Sequence, residues 1–221
     1  MSLPEVKTIR ERIESIPRID FRSCLMTAYL YAGRISEVIG KSSIADNTTA
    51  RGPKGTDVEL DEYRSGELKE PCVVFTVRTA KRQGKERKIA LPVNYEPWAE
   101  SLFQYFKDHG PNLVFPFTRQ AVGLYVRNNE VFEGLSYPIE TYQIWKNGQI
   151  IRKVDGHKRP FNIHALRHLR ATELVEFYGF GGRDLATYGG WTFRSFGYPA
   201  AADRYLSLGW HGYFHRLLKR R

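Results

Sequence analysis

The segment that most constrains this chain is 161–174, "FNIHALRHLRATEL". At 100° per residue, Ile163, Leu166, Leu174 and Phe177 share one apolar stripe, the pattern of a helix packed on a core. His164 and Arg167 lie beside that stripe, three residues apart and therefore neighbours. Arg170 falls on the stripe itself. The simplest reading is a basic helix edge with Arg170 snorkelling to solvent. Whatever else joins these side chains decides what the helix is for.

A second segment poses the same problem. "AYLYAGRISEVIG" (28–40) sets Arg34 immediately after Gly33 in an otherwise apolar stretch, with Glu37 one turn later. A buried arginine is costly unless it is paired or meets an anion. An Arg34–Glu37 pair is the structural explanation, and an anion site is the functional one.

Charge favours an anionic partner. The chain of 221 residues carries 34 Lys and Arg against 24 Asp and Glu, a formal net charge of +10. A surplus of this size points to nucleic acid. Its placement is clustered: "RTAKRQGKERK" (78–88) holds six basic residues against one Glu, 146–170 holds seven against one Asp, and the tail "HRLLKRR" adds four. A hydrophobic fraction of 42% supports an ordered core in one large or two small domains. Only Cys24 and Cys72 occur, without a CxxC, so no disulfide framework is expected and a cytoplasmic location is. No apolar run reaches the ~20 residues of a membrane span, and no signal peptide opens the chain.

Periodicity orders the elements. Helices are expected over 4–16, over 20–32 with Asp20 as cap, in "RISEVIG", over 95–108 and over 118–132. Residues 41–69 read as a loop or edge with one short strand, "TDVEL". "CVVFTVRT" (72–79) and "ERKIALPV" form a β-hairpin with a basic tip. "LVFP" (113–116) is extended, and "YQIWKNGQIIRKV" is a second hairpin around Asn147-Gly148. Asn162 is the expected N-cap of the helix that follows, and "GFGGR" (179–183) is a turn. The fold class is mainly α with a small antiparallel β-sheet.

Five fragments in order resemble the catalytic domain of the tyrosine recombinase (phage integrase) family. "GRISEV" is similar to its first-arginine motif, "KRQGKERKIALP" to its lysine hairpin, and "HALRHLRATEL" closely to its HxxR helix. "GGW" sits where most members have Gly-His and some have Trp, and "DRYLSL" resembles the nucleophile segment. The resemblance spans roughly residues 4–215, which implies one catalytic domain over 1–221. Members usually carry a preceding helical DNA-binding domain, and the resemblance leads to the expectation that this chain is either an excised catalytic domain or an unusually short member; 133–160 reads as an inserted hairpin.

The resemblance implies a site of Arg34, Lys81, His164, Arg167, Trp191 and Tyr205, acting on double-stranded DNA within a homo-oligomer, a tetramer, and needing no cofactor or metal. The residue types suit the chemistry. Two arginines clamp a phosphodiester gathering negative charge, a desolvated tyrosine attacks it, and a lysine protonates the leaving 5′ oxygen. Lys81 matches by its place at the end of the first strand and Lys85 by its nearness to "ER". Tyr198 and Tyr213 compete with Tyr205 as nucleophile. Two other outcomes stay open: relaxation of DNA in the manner of a type IB topoisomerase, and a DNA-binding protein without catalysis.

Overall fold

A segment that is apolar on every side belongs at the centre of a helical layer. "IDFRSCLMTAYL" is such a segment. It forms the second helix, in which every residue from Ser23 to Leu30 is buried. The computed structural model describes residues 4–41, 50–78, 86–139, 141–146, 149–191 and 209–219. In chain order the elements are α1 (Val6–Glu14), α2 (Ile19–Leu30), α3 (Ile35–Ile39), the short strands β1 (Gly40–Lys41) and β2 (Ala50–Arg51), then β3 (Val58–Ser65), β4 (Leu68–Arg78) and β5 (Glu86–Pro92). There follow α4 (Ala99–His109), α5 (Arg119–Asn128), β6 (Ser136–Ile139), β7 (Tyr142–Lys146), β8 (Gln149–Val154), β9 (His157–Pro160), α6 (Ile163–Glu176), α7 (Gly182–Gly189) and α8 (His211–Phe214).

Helices α1, α3, α4 and α6 surround α2. The three-stranded antiparallel sheet β3-β4-β5 packs against α4 on one side, and its strand β5 meets α7 and α8. The class is therefore helical with a small antiparallel sheet. The sheet is larger than the expected hairpin. "TDVEL" extends to Ser65, and β3 pairs with β4 from Val58↔Phe75 to Ser65↔Leu68. Only Val58 and Tyr63 of β3 are buried. A sheet edge with so little buried surface reads as a polar loop in sequence. Tyr63 is buried because its ring packs at a tilt against Phe214 of α8, ring centroids 4.7 Å apart.

Asn162 caps α6 as expected, its Oδ1 accepting from the backbone N–H of His164 at 2.9 Å and of Ala165 at 3.2 Å. Asp20 does not cap α2. The helix starts a residue earlier with Arg18 at the N-cap, and Asp20 lies in the first turn, accepting from Phe21 N–H at 2.9 Å. "LVFP" is extended, with a bridge between Leu113 and Lys54. Residues 136–160 form two successive two-stranded antiparallel ladders, β6–β9 and β7–β8. The second is the expected hairpin, although Asn147 and Gly148 lie outside the described residues.

Arg170 does not snorkel. It is 1% exposed and belongs to a buried ionic network. Its guanidinium donates to Glu173 at 2.7 Å and to the Tyr188 hydroxyl at 3.2 Å, and its Nη1 lies 4.0 Å from Glu96. Arg10 of α1 forks onto Glu96 with two bonds of 2.8 Å, and Tyr29 of α2 donates to Glu173. Rings surround the cations: Arg10 lies over Trp98, and Arg170 near Tyr29, Tyr178 and Tyr188. Burial alone would raise the Glu173 carboxyl. Arg170, with Arg10 behind it, reverses that and holds the carboxyl below the usual range. Two arginines meet two glutamates, so the cluster is neutral and ties α1, α2, α6 and α7 together. Both cysteines are buried free thiols. Among the described residues no helix is long and apolar enough to cross a membrane.

Arg170→Ala leaves Glu173 and Glu96 buried with one cation between them. It should cost about 3–5 kcal/mol of folding free energy, read as the shift in a urea unfolding midpoint. Arg170→Met combined with Glu173→Leu should recover part of that loss, because the uncompensated charge is gone. A loss below about 1 kcal/mol in Arg170→Ala would show that water reaches the network.

Candidate functional site

The site is built on the carboxyl end of α2. The last carbonyls of a helix have no partner within it. Here three consecutive carbonyls each meet a side chain from a different element. The Leu30 carbonyl accepts from the Tyr188 hydroxyl of α7 at 2.5 Å. The Tyr31 carbonyl accepts from Arg87 of β5 at 3.1 Å, and the Ala32 carbonyl from Arg167 of α6 at 2.7 Å. Cations are favoured there by the negative end of the helix dipole. Ala32 adopts φ 43°, a left-handed conformation that a residue with a side chain holds only at a cost of roughly 1 kcal/mol. That turn carries the chain over to α3.

Arg34 is the N-cap residue of α3 and Glu37 its third residue. The Glu37 carboxylate, almost fully buried, is the hub. It accepts from the backbone N–H of Arg34 at 3.2 Å and from both terminal nitrogens of Arg87 at 3.3 Å, and lies 3.6 Å from the Arg34 guanidinium. Arg87 also donates through Nε to the Tyr188 carbonyl at 2.9 Å. Arg167 is 4% exposed, whereas the Arg34 side chain is 35% exposed. The structure thus brings Arg34 and Arg167 to one place, with Arg87 beneath them.

Among the described residues three arginines face one carboxylate. Burial first, with Arg34 and Arg87 adding to it against the pull of Glu37, lowers the Arg167 guanidinium to about 10. It remains a cation at neutral pH, short of negative charge. The indole of Trp191 lies on its face, 4.1 Å from ring centroid to guanidinium carbon, an orientation that leaves the guanidinium edge for hydrogen bonds. "GGW" makes this possible. A Cβ on Gly189 would fall 1.8 Å from the Trp191 ring. Gly190 has φ +66°, and a Cβ there would meet Arg87 at 2.9 Å.

His164 stands in the first turn of α6 and lines a cleft of about 980 Å³ together with Arg34, Arg119, Arg127, Phe161 and Asn162. Its ring meets that of His168 edge-on, centroids 5.1 Å apart, and His168 stacks on Tyr137. Burial first, then His168, Arg167, Arg34 and Arg119, lower the His164 imidazole below its ordinary 6.5. It is therefore neutral at pH 7 and able to accept a proton or a hydrogen bond. His168 is lowered by burial and Arg167.

Lys81, Lys85, Tyr198 and Tyr205 lie outside the described residues. The strands that lead to the lysine hairpin are described. Arg78, the last residue of β4, is held by two bonds to Asp57 of 2.5 and 2.8 Å. Tyr213 leaves the list of nucleophiles. It is 1% exposed, its hydroxyl donates to the Lys88 carbonyl at 3.2 Å, and burial pushes its pKa up. Its role is packing against Phe180 and Tyr188. Among the described residues no group of three or more His, Cys, Asp or Glu converges as a metal site would.

Arg87 escaped the motif reading because it follows a run of basic residues that all read as hairpin tip. Strand alternation carries the missed signal. Arg87 shares a face with Ile89 and Leu91, both fully buried, so an inward-facing arginine was readable once β5 was placed.

Both depressed histidines bear on stability. Below about pH 6.5 the unfolded chain binds their protons before the folded chain does. Their contribution is whole above that pH and falls away as pH drops through their folded titration points. Imidazole NMR signals of His164 and His168 should titrate below 6.5, and His164→Gln should flatten the decline of the unfolding midpoint between about pH 7 and 5. Titration of His164 at or above 6.5 would show a solvated ring.

No family model matches this chain, and no curated protein or solved structure matches it.

Proposed function

We propose that this chain is the catalytic domain of a site-specific DNA recombinase that cuts and rejoins duplex DNA through a 3′-phosphotyrosyl intermediate. The observation that carries the reading is the uncompensated arginine cluster. Arg34 and Arg167 sit side by side in charge surplus, one of them open to a cleft, and a non-bridging phosphate edge supplies the missing negative charge.

In the proposed step the Tyr205 oxygen attacks phosphorus and the bond to the 5′ oxygen breaks. Neutral His164 takes the phenolic proton or bonds a phosphate oxygen. Lys81 returns a proton to the departing 5′ oxygen, which would otherwise leave as an alkoxide. Arg34 and Arg167 hold the two non-bridging oxygens, and the Trp191 indole N–H donates to the same group. Arg87 touches no substrate in this scheme. It positions Glu37, and through it Arg34. The reaction exchanges one phosphodiester for another, with arginines neutralising the charge that a cation neutralises elsewhere, so it is proposed as metal-independent. Rejoining is the same step reversed with a new 5′ hydroxyl. Recombination needs two duplexes together, hence a homo-oligomer, a tetramer, on DNA. Free thiols at Cys24 and Cys72 fit a reducing cytoplasm.

A duplex nicked near the scissile position traps such an enzyme, because the small 5′ fragment diffuses away. The protein should form a covalent adduct with it, mapped to Tyr205 and absent in Tyr205→Phe. Arg34→Ala and Arg167→Ala should slow adduct formation by ~10²–10³ while retaining most DNA binding. Lys81→Ala should be slow with a 5′ oxygen and restored with a 5′-thiol leaving group, which needs less protonation. Rescue in Lys85→Ala instead moves the acid to Lys85, and an adduct that survives Tyr205→Phe but not Tyr198→Phe moves the nucleophile. Both arginine variants cleaving within tenfold of the parent would end the proposal. Relaxation of any supercoiled circle without a defined site would favour a topoisomerase.

A further inference from the structure

Among the described residues the outer part of the ribbon β6–β9 packs on little else. All described side chains of β7, β8 and β9 are exposed except Val154, which is half-buried. No third strand joins either ladder among the described residues. A two-stranded ribbon alone in water is marginal, so one kept on a surface is usefully explained by what it binds. Among its described residues Arg152, Lys153, Lys158 and Arg159 stand on it against one acid, Asp155. Lys153 pairs with Asp155 at 3.2 Å, and the other three form no ion pair among the described residues. Between these cations Ile144, Ile150 and Ile151 are 37, 47 and 59% exposed. Isoleucines left in water beside unpaired cations suit a surface that offers phosphates at its edges and methyl groups and sugars within. That surface is a groove of duplex DNA.

The root of the ribbon fixes where that groove would lie. Tyr137 of β6 packs edge-on against Phe161, centroids 6.2 Å apart, and stacks on His168. β9 runs through Pro160 and Phe161 into Asn162, the cap of α6. All three line the cleft that holds Arg34 and His164. The β7–β8 ladder, five to six residues a side, spans ~17–20 Å, about half a turn of B-DNA. The bulge between Ile144 and Trp145 adds the twist a ribbon needs to follow a groove. The B-form major groove, ~12 Å wide, admits a two-stranded ribbon.

We infer that the ribbon is a second DNA-contacting element, lying in the major groove next to the phosphate held by Arg34 and Arg167. It extends the contact beyond the cleavage site and reads or registers the flanking sequence. This rests on the reading of the arginine cluster as a DNA site. The charge balance favours DNA over a second copy of this chain, whose own surplus is also positive.

The test uses the full chain and a short duplex of arbitrary sequence. Each lost phosphate contact lowers the slope of log affinity against log salt by ~0.9. Arg152→Ala with Lys158→Ala and Arg159→Ala should therefore lower it by about 2 to 3. Hydroxyl-radical protection should disappear on one flank only. Arg152→Lys with Lys158→Arg and Arg159→Lys should restore both, which excludes a folding defect. A slope and footprint equal to the parent's in the alanine variant would overturn the inference. So would Ile150→Ser with Ile151→Ser dissociating a DNA-free oligomer while leaving the footprint whole, since the ribbon would then join copies. The covalent-adduct assay on the same preparations separates the two readings. A ribbon-dependent footprint in a parent that forms no adduct sinks the recombinase and keeps the ribbon. An adduct-forming parent with a ribbon-independent footprint does the reverse.

Discussion

The carboxyl end of α2 is the constraint on which the rest of the structure depends. A buried helix must satisfy its last carbonyls, and this one is buried on every side. Three successive acceptors at Leu30, Tyr31 and Ala32 draw in Tyr188, Arg87 and Arg167. These donors come from α7, β5 and α6, so one local need fixes the mutual placement of the sheet and two helices. It also explains why two arginines are buried at all. Each has a backbone carbonyl and a helix dipole to offset part of its desolvation. Among the described residues they share one carboxylate, Glu37, with Arg34, and the proposed function rests on that imbalance.

The molecule contains a comparison of its own. Arg10 and Arg170 are buried a few residues of structure away from Arg87 and Arg167, in the same core. The first pair meets Glu96 and Glu173 and is electrically closed. The second pair, joined by Arg34, meets only Glu37 among the described residues. Two arginines meet two carboxylates in the first cluster; among the described residues three meet one in the second, and one of the three, Arg34, is partly exposed. A closed cluster holds helices together. An open one beside a cleft is what the proposed phosphate site rests on. The two are linked through Tyr188, whose hydroxyl touches Arg170 while its carbonyl takes Arg87. The structural network therefore stiffens the floor of the site.

Much of this was legible in the sequence. The periodicity of 161–174 placed α6, and Asn162 announced its start. The hairpin expected over "YQIWKNGQIIRKV" is present as the β7–β8 ladder. The misses share a cause: sequence pattern reports which residues are apolar, and says little about polar residues that are buried together. Arg170 reads as a surface cation on an apolar stripe, because its acids come from 96 and 173 and its rings from 29, 178 and 188. Arg87 hides in a run of basic residues. β3 reads as a loop because it buries only Val58 and Tyr63, and Tyr63 depends on α8 more than 140 residues later in the chain.

The central claim is that Arg34 and Arg167 neutralise charge on the non-bridging oxygens of one phosphodiester. A methylphosphonate at the scissile position replaces one non-bridging oxygen by a methyl group, removes the single negative charge and keeps the leaving group. On a nicked duplex carrying it, Arg34→Ala or Arg167→Ala, nearly inactive on the natural phosphate, should form covalent adduct at a rate approaching the parent's. If both variants stay as slow on the neutral ester as on the charged one, the arginines act on something other than phosphate charge, and the account fails.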